Sequence, residues 1–95
     1  MAILSFKDPS TERFFRDGRS PKAGWAAIVK SAARKLDMLN SASALKDLAS
    51  PPGNRLEALR GERADQWSIR VNDQWRLCFK WSELGLIDVE IVDYH

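Results

Sequence analysis

The sequence predicts an α+β fold in which two N-terminal helices pack on one face of a small antiparallel sheet. Apolar residues between positions 25 and 39 recur at the spacing of an amphipathic helix, whereas those from position 55 onward alternate with polar residues as in strands. The helices precede the strands instead of alternating with them, which favours an antiparallel meander. The chain has 95 residues, and we predict one domain over residues 1–95.

The composition is that of a folded protein, with 44% apolar and 29% charged residues. No apolar run approaches the ~20 residues that a membrane span needs, and the first residues lack the basic and apolar segments of a signal peptide. Cys78 is the only cysteine, so an internal disulfide is excluded and a reducing compartment is favoured. We therefore predict a cytoplasmic protein with no membrane association.

The first half of the chain is predicted to form a short strand and two helices. Residues 3–6 have the pattern of a strand, after which Asp8 and Pro9 are typical of a helix start and Gly18 of its end. A second helix is expected from Trp25, because its apolar residues share one face. Those residues are Trp25, Ile28, Val29, Ala32, Leu36 and Leu39.

The second half is predicted to be a meander of three or four strands. Residues 44–50 favour a short helical turn, and residues 50–53 (SPPG) form a connector that cannot continue a helix. Alternation places three tryptophans on the core face, where they pack against apolar neighbours. They are Trp67, Trp75 and Trp81. Strands are expected at 55–60, 67–71, 75–81 and 87–91.

The register of the central hairpin follows from its alternation. Apolar residues at odd positions on both strands must face the core together, and this requires a turn with an odd number of residues. Residues 72–74 (NDQ) supply that turn. On the polar face, Arg70 is then directly opposite Arg76, and Ser68 is opposite Cys78.

Two interpretations of the facing arginines remain open, because two guanidinium groups repel unless an anion lies between them. The anion is either internal or a ligand. In the next hairpin, alternation predicts Lys80 opposite Asp88. It also predicts Arg76 opposite Val92, which brings Glu90 diagonal to Arg76. Alternatively the arginine pair binds a phosphate, which guanidinium groups match with two parallel hydrogen bonds.

Charge is distributed unevenly along the chain. Residues 1–80 carry all 15 Lys and Arg but only nine of the 13 acids, whereas residues 81–95 carry four acids and no base. This pattern indicates a basic body that suits a polyanion or an acidic protein, unless the acidic last strand neutralises it. Three further arginines would extend the basic surface: Arg55, Arg60 and Arg63.

The last residues hold the only tyrosine and the only histidine, Tyr94 and His95, directly after Asp93. They are either an acid–base pair with a stacking ring or a solvated strand end. Other chemistry has less support. The chain has no Cys/His cluster for a metal, no phosphate-binding glycine motif, and no Ser or Cys nucleophile beside a base. We predict no metal and no cofactor.

Three segments of the sequence resemble the HigB toxin family, the plasmid-maintenance-killer branch of the RelE/ParE toxin superfamily. They are NRLEALRG at 54–61, WSIRVNDQWRLCF at 67–79 and VEIVDYH at 89–95. The resemblance spans the chain and is strongest from residue 54 onward. It implies a RelE-like fold and a type II toxin that enters the ribosomal A site and cuts mRNA during translation.

The resemblance implies a metal-independent reaction in which an RNA 2′-hydroxyl attacks the neighbouring phosphate. Arg70 and Arg76 would stabilise the charge that develops on the phosphate, together with Arg60, where relatives often carry a lysine. Arg55 and Arg63 would widen the basic surface that binds the substrate.

The terminal residues would supply proton transfer in this reaction. Tyr94 and His95 would be the acid–base or stacking pair, and Asp93 would orient His95. Some family members carry a histidine where this chain has Glu57, so Glu57 is a candidate base if its pKa is raised. Alternation places Glu57 on the face opposite Arg60, unless a bulge intervenes.

The resemblance also implies partners. A HigA-type antitoxin with a helix-turn-helix domain would bind the toxin, so that contact with DNA occurs only through the antitoxin. The substrates would be the ribosome and its mRNA. An alternative is a non-catalytic toxin that inhibits the ribosome or DNA gyrase by binding alone. Retention of Arg70, Arg76 and the Tyr94–His95 end argues against the gyrase branch.

Overall fold

The computed structural model describes residues 2–19 and 24–93. Within these ranges there are two α-helices, α1 (Pro9–Asp17) and α2 (Val29–Ser41), and four strands, β1 (Glu57–Ala58), β2 (Trp67–Arg70), β3 (Trp75–Trp81) and β4 (Leu86–Asp93). The strands form one antiparallel sheet in the order β1-β2-β3-β4. The predicted α+β class and the strand meander are therefore confirmed.

Helix α1 begins and ends where the sequence predicts. The Asp8 carboxylate accepts a hydrogen bond from the Thr11 N–H at 3.0 Å, and Pro9 occupies the first turn. Gly18 follows the helix with a left-handed backbone (φ 70°), and its N–H donates to the Phe14 carbonyl at 3.0 Å. A glycine adopts this conformation without the steric cost that a Cβ would add.

Helix α2 begins later than its apolar spacing predicts. A 3₁₀ turn, Gly24–Ile28, precedes the α-helix, which starts at Val29. Trp25 lies within this turn and is only 2% exposed, so the apolar pattern reports its burial in the core rather than the start of the regular helix. The expected helical turn after α2 is present as a 3₁₀ turn, Leu45–Ala49.

The first predicted strand is reduced to two isolated bridges. Residues 3–6 run parallel to β4 through isolated bridges, Ile3 to Leu86 and Phe6 to Val89. Between these bridges Asp88 has a left-handed backbone (φ 53°) and its N–H donates to the Ser5 side chain. This turn in β4 interrupts the ladder that a regular strand would require.

The strand predicted at 55–60 is also shorter than expected. Only Glu57 and Ala58 pair with β2, because Arg55 has a left-handed backbone (φ 46°). The 3₁₀ turns Pro52–Asn54 and Gly61–Arg63 close the segment on either side. A left-handed residue cannot continue a strand, so the pairing begins two residues later.

One predicted cross-strand pair is wrong. The β3–β4 register shifts between Cys78 and Lys80, and Lys80 pairs with Ile87 rather than with Asp88. The left-handed backbone of Asp88 accounts for the additional residue on β4. The Lys80 ammonium nevertheless lies 3.4 Å from the Asp88 carboxylate, so the two charges still meet.

The core joins α2 to one face of the sheet. Its buried residues include Ala32, Leu36 and Leu39 from α2 and Ile69, Leu77 and Phe79 from the strands. The three strand tryptophans pack half-buried against this core, as predicted. The strand residues that alternate with the core positions form the polar face of the sheet, and this face carries the candidate site.

Candidate functional site

The polar face has the register that the sequence predicts for the central hairpin. Arg70 is the cross-strand partner of Arg76, and Ser68 is the partner of Cys78. Arg76 is also opposite Val92 on β4. Paired residues on adjacent strands point to the same side of the sheet, so both guanidinium groups belong to one face.

Arg76 is held almost entirely inside the protein, with 7% of its side chain exposed. Its Nε donates to Ser68 Oγ at 2.8 Å, and one of its terminal nitrogens donates to the carbonyl oxygens of Arg55 at 2.7 Å and Ser68 at 3.3 Å. The Arg55 carbonyl belongs to a left-handed residue, a conformation that costs on the order of 1–2 kcal/mol without glycine. Arg76 therefore has one fixed orientation, and its bond to Arg55 helps to hold the strained backbone.

Glu57 lies on the same face as Arg76. It is the cross-strand partner of Ser68, and its Oε1 is 3.6 Å from a terminal nitrogen of Arg76. Its side chain is 43% exposed, so solvent or a ligand can reach the carboxylate. Glu57 is thus placed where a proton acceptor next to a guanidinium-bound phosphate would be needed.

Arg70 is more accessible than Arg76, with 33% of its side chain exposed. It forms an ion pair with Asp73 in the adjoining turn. The hydrogen bond from Arg70, together with its positive charge, lowers the pKa of the Asp73 carboxyl. Asn72 fixes that turn by accepting hydrogen bonds from the N–H groups of Gln74 and Trp75.

These side chains enclose a hollow of about 150 Å³, which we call the arginine depression. It is lined by Arg55, Arg70, Asn72, Asp73 and Arg76. Its three arginines and the Asn72 amide supply donors of the kind that bind the oxygen atoms of a phosphate group. Asp73 is the carboxylate of this lining, and as the exposed partner of Arg70 it is the group that an entering anion would displace.

The remaining predicted site residues lie around this hollow or outside it. Asp93, whose cross-strand partner is Trp75, accepts a hydrogen bond from the Gln74 amide at 2.9 Å. Arg60 is exposed at the start of the turn after β1 and does not line the arginine depression. Tyr94 and His95 lie outside the described residues.

Arg63 has an internal partner. Its guanidinium donates to Glu90 at 2.7 Å and to the Gln66 side chain at 3.0 Å. The hydrogen bond to Glu90 raises the pKa of Arg63 above its ordinary value. Glu90 also lies 3.7 Å from the Lys7 ammonium. The acidic last strand thus neutralises part of the basic surface.

Sequence reasoning missed the polar residues that hold the cations, Ser68 for Arg76 and Asn54 for Lys35. Alternation predicts that Ser68 lies on the polar face, but nothing in the pattern indicates that it binds Arg76. Asn54 is fully buried, and its amide nitrogen donates to the carbonyl oxygens of Leu48 at 3.1 Å and Ser50 at 3.3 Å. Its only signal was its place after the SPPG connector, where an asparagine is typical of a turn.

Two further properties of the described residues bear on function. Residues 2–19 and 24–93 contain no helix with the length and apolar character needed to cross a membrane. In the same ranges, no group of three or more His, Cys, Asp or Glu side chains is arranged to hold a metal ion.

Comparison with known proteins gives relatives over most of the chain. Residues 4–95 match the sequence model of a family described as the RelE-like toxin of type II toxin–antitoxin system HigB. The chain is 44% identical over 78 residues to Toxin HigB-1 of Vibrio cholerae serotype O1, which covers 82% of each protein. It is 40% identical over 76 residues to an uncharacterized protein of Haemophilus influenzae, covering 80% of this chain and 75% of that protein.

A solved structure has the same fold. The YoeB/ParE toxin from Agrobacterium tumefaciens aligns over 100% of both chains with a TM-score of 0.57 and 17% sequence identity. At this identity the match establishes the RelE/YoeB-like arrangement of two helices and a four-stranded antiparallel sheet, and nothing about residue roles.

Proposed function

Because the chain belongs to the family of RelE-like toxins of the HigB type II toxin–antitoxin system, we propose that it cleaves mRNA on the translating ribosome. As a type II toxin it has an antitoxin partner. The observation that carries the proposal is the facing pair of Arg70 and Arg76, which meets at the arginine depression. Three arginines and two carboxylates, Glu57 and Asp73, give this part of the face a positive excess that suits the RNA backbone.

The two arginines would stabilise the phosphate in different ways, Arg76 as a fixed charge and Arg70 as a charge that changes partner. Arg76 is fixed by Ser68 and the Arg55 carbonyl, so its charge would need little reorganisation when negative charge develops on the phosphate. Arg70 would leave Asp73 and bind the incoming phosphate, since an exposed ion pair costs little to exchange.

Proton transfer would be carried out by a second set of side chains. An attacking 2′-hydroxyl needs a proton acceptor and the leaving 5′-oxygen needs a donor. Glu57 is the described carboxylate closest to Arg76, and we propose it as a candidate acceptor. Tyr94 and His95 are proposed as the acid–base or stacking pair, with Asp93 orienting His95.

The basic surface around the reaction centre would hold the RNA. We propose that Arg55 and Arg60 contribute to this surface, and that Arg63 does so only where its pairing with Glu90 is broken. No metal ion or cofactor is required in this scheme, because the nucleophile is the RNA itself.

The proposal extends to the setting of the toxin. The antitoxin would be of the HigA type, with a helix-turn-helix domain through which the complex reaches DNA, and the toxin would act in the cytoplasm. We also propose that residues 1–95 form one domain with both helices on the core face of the sheet. That arrangement would leave the arginine depression, on the polar face of the sheet, accessible to the ribosome and its mRNA.

The test is to map transcript 5′ ends after inducing this chain without its antitoxin. His95→Ala and Arg70→Gln are the site variants, and Lys46→Gln, an exposed residue in the turn after α2, is the matched charge control. New 5′ ends inside translated frames are expected for the wild type and for Lys46→Gln. They should disappear when translation initiation on the transcript is blocked.

The outcomes separate the two classes of toxin. Cuts that persist in His95→Ala would keep the nuclease and remove His95 from its essential chemistry. Growth arrest with intact transcripts would contradict the proposal and favour a non-catalytic toxin that binds the ribosome or DNA gyrase.

A further inference from the structure

We propose that a second hollow, next to the arginine depression, binds an adjacent nucleotide of the RNA with its phosphate on Lys35. This inference rests on the proposed function, because it extends the RNA that the site would bind. The hollow has a volume of about 330 Å³ and lies between α2 and the end of β2. Its lining residues are Ser31, Arg34, Lys35, Met38, Pro51 and Val71.

The two hollows are neighbours at the end of β2. Val71 lines the second hollow, whereas the residues on either side of it, Arg70 and Asn72, line the arginine depression. Burial and Arg34 lower the pKa of the Lys35 ammonium, and the Arg70 charge is close enough to Lys35 to add to this effect. A strand of RNA with one phosphate on Arg70 would pass the end of β2 to reach the second hollow. We call the second hollow the Lys35 pocket.

The lining of the Lys35 pocket combines charged and polar residues, which suit a phosphate, with apolar residues, which suit a sugar or a base. Arg34 and Lys35 supply positive charge, and Ser31 adds a hydroxyl. The rest of the lining is apolar and would contact a ribose or the face of a base. It is formed by Met38, Pro51 and Val71.

Lys35 is positioned by a neutral group. Its ammonium donates to the Asn54 Oδ1 at 2.5 Å, and the buried Asn54 is itself fixed by the carbonyls of Leu48 and Ser50. An amide oxygen orients the ammonium without cancelling its charge. Across residues 2–19 and 24–93, Lys35 forms no ion pair with a carboxylate.

The electrostatics of Lys35 agree with this geometry. Partial burial, followed by the charges of Arg34 and Arg70, lowers the pKa of the Lys35 ammonium. Positive charges crowd together here with no carboxylate on Lys35 to balance them. A bound phosphate would relieve this repulsion and supply the missing counter-charge.

Adjacent residues support a cation in each hollow. Asn54 holds the Lys35 ammonium, and the carbonyl of the next residue, Arg55, accepts a hydrogen bond from Arg76. The backbone between them is constrained by the 3₁₀ turn Pro52–Asn54 and by the left-handed Arg55. The supports of the two cations are therefore joined by a short, constrained segment of backbone.

The experiment measures binding without cleavage. The probe is a fluorescent RNA hexanucleotide with 2′-O-methyl groups, which removes the attacking hydroxyl, and binding is followed by anisotropy. Lys35→Gln and Arg34→Gln are each expected to weaken binding about threefold to tenfold and to lower the salt dependence by about one phosphate contact. Lys35→Arg should remain close to the wild type.

Lys30→Gln is the matched control. Lys30 is exposed on the same helix and does not line the pocket, so the same loss of charge should change binding less than about twofold. Arg34 is also exposed, which keeps the test valid if Lys35→Gln unfolds. Amide NMR shifts of Ser31 and Val71 on addition of the hexanucleotide would locate the RNA in the pocket.

Two results would overturn the inference. One is equal weakening by Lys30→Gln and Lys35→Gln, which would mean diffuse attraction rather than a site. The other is loss of antitoxin affinity in Lys35→Gln with unchanged RNA affinity, which would assign the pocket to an acidic group of the antitoxin. If the wild type cuts no transcripts but the RNA-binding pattern holds, the proposed nuclease fails while the Lys35 pocket stands.

Discussion

Basic side chains near the two ends of the sheet have different environments. At one end, the Lys80 ammonium lies 3.1 Å from Asp65 and 3.4 Å from Asp88, while Arg63 lies 2.7 Å from Glu90. We call this the neutralised end. At the other end are the arginine depression and the Lys35 pocket, where, among the described residues, cations outnumber the carboxylates beside them. We call this the cationic end.

The pKa shifts of two lysines express the same difference. The hydrogen bonds that the Lys80 ammonium donates to Asp65 and Asp88 raise the pKa of Lys80, whereas burial and the neighbouring arginines lower the pKa of Lys35. A lysine with carboxylate partners holds its proton more tightly, and one among cations holds it less tightly. Among the described residues, the lysine of the neutralised end therefore has carboxylate partners, whereas Lys35 at the cationic end has none.

This difference bears on the ambiguity in the charge pattern of the sequence. Self-neutralisation by the acidic last strand is observed at one end of the sheet, and attraction of a polyanion stays a prediction for the other end. Asp88 forms an ion pair with Lys80, and Glu90 forms one with Arg63. Arg76 lies near the opposite end of β3 from Lys80, where its β4 partner is the uncharged Val92, and Arg70 on β2 is its other cross-strand partner.

The largest expected effect is on stability, from removal of Arg76. Arg76→Ala leaves the hydroxyl and carbonyl of Ser68 and the carbonyl of Arg55 without their donor. We expect the free energy of unfolding to fall by about 2–4 kcal/mol, measured by urea denaturation. Arg70→Ala is the matched variant and should cost less than about 0.5 kcal/mol, because its partner Asp73 is exposed. Similar losses for both variants would contradict the division between a fixed and a mobile arginine.

The next largest effect is on activity, and it compares the two ends directly. Arg70→Gln should lower mRNA cleavage on translating ribosomes about 100-fold, because a cation that stabilises the developing phosphate charge is lost. Lys80→Gln removes the same charge from the neutralised end and should leave cleavage within about twofold of the wild type. Single-turnover cleavage of a defined ribosome–mRNA complex measures both. A large loss for Lys80→Gln would show that the whole face acts as one basic surface.

Much of this comparison was accessible from the sequence, because alternation is a local property. The period-two pattern predicts Arg70 opposite Arg76 and Ser68 opposite Cys78, and both pairs are observed. Pairing depends only on which side chains face the core, so a shift by one residue would expose every apolar residue of the strand. The helix start at Asp8 was likewise predictable from adjacent residues.

The parts that failed depend on backbone geometry at single residues. The left-handed Arg55 shortens β1, and the left-handed Asp88 moves Lys80 to Ile87. Neither residue is a glycine, and although aspartate adopts this conformation more often than most residues, the type alone does not predict it at Asp88. The support of Lys35 by Asn54 spans 19 positions along the chain and involves no periodic pattern. Long-range polar contacts of this kind require the fold to be known first.

A third prediction concerns a variant that removes a carboxylate from the neutralised end and so makes its charge more like that of the cationic end. Glu90→Gln removes the carboxylate from Arg63 and Lys7, so the free energy of unfolding should fall by about 1 kcal/mol. Affinity for the 2′-O-methyl hexanucleotide should rise about twofold to threefold, because Arg63 becomes available to phosphate. Glu83→Gln, in the exposed β3–β4 turn, is the control with the same change of charge. If both variants raise affinity equally, net charge rather than the release of Arg63 is responsible.

The smallest expected effect concerns the exposed ion pair within the cationic end. Arg70 holds the pKa of the Asp73 carboxyl below its ordinary value, so the pair stabilises the fold above the ordinary carboxyl pKa and loses this contribution as the pH falls through the lowered one. Asp73→Asn should therefore raise hexanucleotide affinity by no more than about twofold at neutral pH, because Arg70 no longer has to leave a carboxylate. The stability difference from the wild type should vanish at low pH.

An NMR titration of the Asp73 carboxyl in Arg70→Gln should show its pKa returning upward. An unchanged pKa would mean that Arg70 is not its partner in solution, and the exchange of Asp73 for phosphate would then lose its basis.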